Sequence, residues 1–193
     1  MTQRIFHLLK RWLPTVLLLC LPLMPLAAFA AEGVEIRDAH LENTEEGYKL
    51  SCALSFELNH ELEEAVTRGI PLYFTTEIQI TRPRWYWFDE RAVSASQTIR
   101  LSYNVLTGQY YAAILGHLQQ SFTTLDDALS MVRHPIRWVV AEPGALKRGE
   151  TYHVAVKMRL DLDQLPKTFQ VHALNNSDWH LSSDWKTFDF KAE

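Results

Sequence analysis

Three groups of residues have side chains suited to chemistry, and each also has a plainer reading. Asp161 and Asp163 stand two apart where a long alternating run ends, so on a strand both carboxylates would share one face. Paired carboxylates can act as the acid and base of a glycoside hydrolase, but only from opposite sides of a cleft. Beside Lys157 and Arg159, the same pair reads as the solvated end of a strand. His172, Asp178 and His180 offer metal-ligand or acid–base atoms, yet a metal site needs three or four converging ligands. None of His40, His60, His117, His134, His153, His172 and His180 forms a pair at helical ligand spacing, and there is no HExxH motif. Cys52 falls on the apolar side of the run Tyr48, Leu50, Cys52, Leu54, Phe56, Leu58, which makes it a buried thiol and not a nucleophile. No Gly-x-Ser-x-Gly elbow and no glycine-rich phosphate loop is present. The chain is read as having no catalytic residue, no metal site and no cofactor.

One segment is left with recognition chemistry: Arg82-Pro83-Arg84-Trp85-Tyr86-Trp87-Phe88-Asp89-Glu90. Four adjacent aromatics between two arginines and two acids exceed what a core strand needs. Trp, Tyr and Arg are the residue types enriched at the centres of protein interfaces, and they also bind flat ligands by stacking and cation–π contact. Arg82, Arg84, Trp85, Tyr86, Trp87 and Phe88 are therefore the candidate ligand or partner surface. Parity of the preceding strand makes the outcome a question of register. Leu72, Phe74, Ile78 and Ile80 are inward, so an uninterrupted strand places Arg82 and Arg84 inward and Trp85 and Trp87 outward. A bulge or kink at Pro83 reverses this. In the competing reading the loop from Asn175 to Trp185 folds over the segment, and Trp179 or Trp185 completes an internal aromatic cluster.

The elements that must position this segment are mostly strands. Val34, Ile36 and Leu41 mark the first, and Tyr48 to Leu58 the second. Asn59 caps a short helix with Leu62, Val66 and Ile70 on one face and Gly69 at its end. Ile99, Leu101, Tyr103 and Val105 form another strand, and Thr107-Gly108 turns it back into Tyr110 to Leu115. Thr124-Leu125-Asp126-Asp127 resembles a capping box and opens a second helix with Leu125, Ala128, Leu129 and Val132 as its apolar face. Ile136, Trp138 and Val140 make a strand ended by Pro143-Gly144. Tyr152 to Leu162 is the longest clean alternation, with Lys157, Arg159, Asp161 and Asp163 on a wet face. Phe169, Val171 and Ala173 precede a polar loop from Asn175 to Asp184, and Trp185 to Phe190 closes the chain. Seven or eight strands with two short helices in connections predict an all-β fold, an antiparallel β-sandwich that is immunoglobulin-like in general architecture but lacks the Cys…Trp…Cys spacing.

Residues 1–30 stand apart from that fold. Arg4, Lys10 and Arg11 precede an apolar stretch from Leu13 to Leu26, and Ala28-Phe29-Ala30 supplies the small residues of a signal-peptidase site. Pro14, Pro22 and Pro25 weaken the alternative of a retained spanning helix. The sequence thus predicts export, cleavage near Ala30-Ala31, a periplasmic location, and one domain over 31–193. Setting those three cations aside leaves 16 basic residues against 23 acidic ones, a balance of −7, which excludes general attraction to nucleic acid or anionic lipid. Cys52 is then the single cysteine, so no intramolecular disulfide forms.

Several motifs resemble one exported family of Gram-negative bacteria. They include Gly69-Ile70-Pro71-Leu72-Tyr73-Phe74, the aromatic segment, Arg100-Leu101-Ser102-Tyr103-Asn104, Tyr110-Tyr111, and Thr124 to Leu129. Met158-Arg159-Leu160-Asp161, Gln164-Leu165-Pro166-Lys167 through Asp178-Trp179, and Leu181-Ser182-Ser183 extend the likeness over nearly the whole chain after the leader. The family is a domain of unknown function, sometimes labelled a proline-rich signal-peptide protein. The resemblance implies a periplasmic β-rich domain with no assigned activity. Its gene neighbourhood implies a partner in the cell envelope, the extracytoplasmic part of a membrane sensor kinase. The expected function is a non-catalytic binding or adaptor domain. The alternatives are an envelope hydrolase acting on glycan or peptide through Asp161, Asp163 or His172 with His180, and a folding helper that offers an open sheet edge to client strands.

Overall fold

Alternation every second residue becomes two antiparallel sheets in the computed structural model, which describes residues 33–86, 88–135 and 138–193. The chain runs β1 (Glu35–Thr44), β2 (Gly47–Ser55), α1 (His60–Thr67), β3 (Leu72–Arg82), β4 (Glu90–Asn104), β5 (Gln109–Ile114) and β6 (Gln120–Phe122). It continues through α2 (Leu125–Arg133), β7 (Trp138–Ala141), β8 (Thr151–Leu160), α3 (Lys167–Asn175) and β9 (Lys186–Lys191), with short 3₁₀ turns at Leu162–Gln164 and Ser177–Trp179. One sheet has the order β1-β2-β7 and the other β6-β5-β4-β3-β8-β9. The leader, and with it the predicted cleavage site, lies outside the described residues. Among those residues, no helix is long and apolar enough to cross a membrane.

Residue parity decides which face each strand buries. Leu72, Phe74, Ile78 and Ile80 of β3 are buried and pair laterally with Leu101, Ile99, Ala95 and Val93 of β4. On the other side they align with Leu160, Val156 and Val154 of β8, so one face of the large sheet is a continuous apolar layer. Tyr48, Leu50, Cys52 and Leu54 of β2 supply the facing layer from the small sheet. Two ring contacts span the layers: Tyr48 meets Phe190 edge-on at 6.0 Å, and Phe56 meets Phe74 at 5.8 Å. The result is the predicted sandwich-like β architecture.

The two predicted helices form as their caps require. Asn59 accepts from the Leu62 N–H at 3.0 Å and also donates to the Asp178 carbonyl at 2.6 Å, tying α1 to the segment before β9. Thr124 accepts from the Asp127 N–H at 3.1 Å and donates to the Asp127 carboxylate, so aspartate completes this cap in the usual place of glutamate.

Three details depart from the sequence reading. The strands number nine among the described residues, because β6 is only three residues long and too short to show a period. A third helix, α3, occupies the stretch where Phe169, Val171 and Ala173 alternate. Three residues are too few to separate period 2 from period 3.6. Pro166 begins the helix without needing an N–H, and the Gln170 amide folds back onto the carbonyls of Asp163 and Leu165. Only Ala173 of α3 is buried, so no alternating face exists to be read. In β1 the buried positions switch from Ile36 to Leu41 across a bulge between Arg37 and His40, where Asp38 takes φ +50°.

Candidate functional site

The aromatic segment lies at the tip of the β3–β4 hairpin. Arg82 pairs with Glu90 as the last rung, and Pro83, having no N–H to give the ladder, ends the strand there. The extra residue that kinks this hairpin is Ala92 on the opposite strand, since Ile80 pairs with Val93 while Thr81 pairs with Arg91. Parity therefore loses its hold before the aromatics are reached. Neither register predicted from the sequence applies, because both assumed a strand continuing past Pro83. Trp85 and Tyr86 form a turn, and Trp85 is 94 % exposed, Tyr86 65 % and Phe88 85 %. The Trp85 and Tyr86 rings stack edge to face at 5.2 Å. Trp87 lies outside the described residues.

The base of the tip is held by charge. Arg84 lies 2.5 Å from a carboxylate oxygen of Glu90, Arg82 bonds the same oxygen, and Arg82 also lies 3.9 Å from Glu150. The Arg84 and Arg82 guanidinium groups hold the Glu90 carboxyl below its usual range. These arginines are neither inward in the apolar layer nor free to bind alone; they fix the angle at which the loop leaves the sheet. The loop from Asn175 to Trp185 makes its own contacts elsewhere. Trp179 is buried with its ring 6.4 Å from that of His172, and Trp185 sits beneath the Lys157 ammonium at 5.9 Å.

The residues considered for catalysis separate into different neighbourhoods. Asp161 is 7 % exposed, not on a wet face: it accepts from Arg159 at 3.0 Å, and Arg159 also reaches Glu77 at 3.0 Å. Asp163 does not share its face, because the strand ends at Leu160 and Asp163 belongs to a 3₁₀ turn. His172 lies 3.4 Å from Glu61 of α1, which also accepts from Asn176 at 2.8 Å. Burial works to raise the Glu61 pKa, and these donors outweigh it, leaving the carboxyl below its usual value. His180 is exposed, and Asp178 gives its carbonyl to Asn59. No group of three metal-ligating side chains converges among the described residues.

One polar arrangement was not legible in the sequence. On the outer face of the large sheet, Thr75 and Thr98 share a hydrogen bond at 2.8 Å beside the Glu77–Arg159–Asp161 chain, around a shallow depression of about 370 Å³. Alternation shows that these side chains share a face, but only lateral pairing of β4, β3 and β8 makes them neighbours.

Cys52 is 6 % exposed, and burial pushes its thiol up to about 11. At pH 8 the thiolate fraction should fall about 100-fold below that of an ordinary cysteine. Alkylation read at Cys52 by peptide-level mass spectrometry should be slower in native buffer by at least that factor than in denaturant. Equal rates would show an accessible thiol.

A family model described as a domain of unknown function, DUF4390, matches residues 31–189. The chain belongs to the DUF4390 family. No curated protein and no solved structure matches it. The DUF4390 match begins before β1 and ends within β9, so it takes in strands of both sheets and the aromatic hairpin.

Proposed function

We propose that this DUF4390 domain is a non-catalytic binding or adaptor module of the cell envelope, exported to the periplasm, which captures a protein partner with the β3–β4 hairpin tip. The observation that carries the reading is the exposure of Trp85, Tyr86 and Phe88 on a loop whose base is clamped by Arg82, Arg84 and Glu90. Large aromatics left in water cost solvation free energy, and a rigid aromatic anchor loses little conformational entropy on binding. The leader composition supports export. The separation of Asp161 from His172 supports recognition over hydrolysis. Gene neighbourhood makes the extracytoplasmic part of a sensor kinase the first partner to test.

The test is photo-crosslinking in intact cells, with benzoylphenylalanine replacing Trp85. A discrete adduct with an envelope protein is expected. Tyr86→Ala with Phe88→Ala should weaken binding of that partner about 30-fold, the equivalent of ~2 kcal/mol at an interface hot spot, while the melting temperature stays native. No adduct, or unchanged affinity in the double variant, would sink the proposal. A collapse in melting temperature would do the same, by showing that the rings support the fold.

A further inference from the structure

The outer face of the large sheet is concave in one place. Along β3 it carries Thr75, Glu77 and Gln79, and the smaller Thr98, Ser96 and Ser94 of β4 stand directly opposite them. Short side chains beside long ones leave the depression of about 370 Å³, bounded further by Arg159, Asp161 and Gln164. β5 pairs with β4 only from Ile99 to Asn104, so among the described residues Ser94 and Ser96 are paired with β3 alone. The volume falls among those of small-ligand sites, roughly 300–1,000 Å³, but such sites are mostly apolar. Here Ile78 and Ala95 alternate to the inner face and give only backbone, so the side chains that line the depression are polar.

Hydrogen bonding at its floor has a direction. Thr75 is buried and donates its one hydroxyl proton to Asp161 at 3.4 Å, so the 2.8 Å bond between Thr75 and Thr98 is donated by Thr98. Thr98 is left with acceptor lone pairs for a ligand. The hydroxyls of Ser94 and Ser96 and the amides of Gln79 and Gln164 each donate and accept, and none is bonded to another described residue. Charge adds no preference. Arg159 bonds both Glu77 and Asp161, and Lys157 stands opposite Glu77 on β8, so two acids meet two bases. A phosphate or an ammonium group finds no uncompensated charge there.

We infer that this depression binds a neutral sugar residue. Adjacent hydroxyls on a sugar ring each give and take a hydrogen bond, which is what the lining offers on every side. A second observation points to the same ligand. Trp185 is partly exposed beneath the Lys157 ammonium, 5.9 Å from its ring centroid. It enters β9, which pairs with β8, so the indole lies two strand spacings, ~10 Å, from Glu77 on β3. Its flat apolar face suits the C–H side of a further ring in a glycan. The site is separate from the hairpin tip and does not rest on the adaptor reading.

The probes are glucose, galactose, mannose and N-acetylglucosamine, each as monosaccharide and trisaccharide, titrated into the protein while its amide NMR shifts are followed. At least one is expected to shift the amides of Thr75, Glu77, Ser96 and Thr98, with Trp85→Ala responding as the native protein does. Ser96→Ala with Gln79→Ala should weaken that binding about tenfold, through two lost hydrogen bonds to an uncharged ligand, at native melting temperature. Ser96→Tyr keeps a strand-forming residue, fills the depression and should abolish binding. A trisaccharide that binds more tightly than its unit, by a margin that Trp185→Ala removes, identifies the ligand as a glycan; equal binding identifies the free sugar. No shift at these amides with any of the sugars overturns the inference. So does affinity unchanged in the Ser96 variants, or tighter binding of glucuronate or glucosamine than of the neutral sugar, which would make the depression a charge site.

Discussion

Gly47→Ala should lower the melting temperature by roughly 6–12 °C, the equivalent of ~3 kcal/mol for a domain of this size. Gly47 closes the β1–β2 hairpin at φ +123°, a conformation that side chains rarely adopt. It also lies against the start of the β2–β7 pairing, where Tyr48 opposes Ala141. A methyl at Gly47 would overlap the Ala141 carbonyl oxygen and press on the carbonyl carbons of Ala141 and Glu142 at 3.3 and 3.4 Å. Those obstacles are backbone and cannot rotate away, so either the hairpin opens or β7 leaves β2. Gly116, also at positive φ (+87°), has nothing within 4 Å of the same position. Gly116→Ala therefore bears the dihedral cost alone, about 1 kcal/mol. Thermal melts of the two variants separate backbone strain from collision. Equal losses would refute the collision at Gly47.

The second large effect lies at the junction of the two sheets. Phe74→Ala should cost ~3–5 kcal/mol, a large share of the stability of an ordinary domain. Phe74 is fully buried on β3, between Ile99 of β4 and Leu160 of β8, and its ring meets Phe56 beyond the end of β2. Removing it opens a void bounded by strands on both sides, which sheet pairing prevents from collapsing. Chemical denaturation should show a lower midpoint with a native-like slope. A loss below 1 kcal/mol would mean that the layers are not packed at this ring.

Much of the fold was legible because burial on a strand follows a local period. Phe74, Ile78, Val154 and Val156 each read as inward from their neighbours alone, and Asn59 and Thr124 each marked a helix start through a hydrogen bond made within three residues. The candidate site was legible only as composition. Its exposure depended on where β3 stops, and that is set by the Arg82–Glu90 rung and the bulge at Ala92, which belongs to the other strand. Asp161 misled for a related reason: alternation assigns it a face, but its partners Arg159 and Thr75 decide that the face is covered there.

By itself, then, the sequence determined the strand period, the inward residues, the first two helix caps, the buried thiol and the family. Each of these rests on neighbours within a few positions, or on side-chain types whose hydration is the same wherever they stand. Tertiary structure alone decided which aromatics meet water and which carboxylates pair. Those outcomes depend on lateral pairing between strands far apart in the chain, and a one-residue shift in that pairing would exchange every one of them.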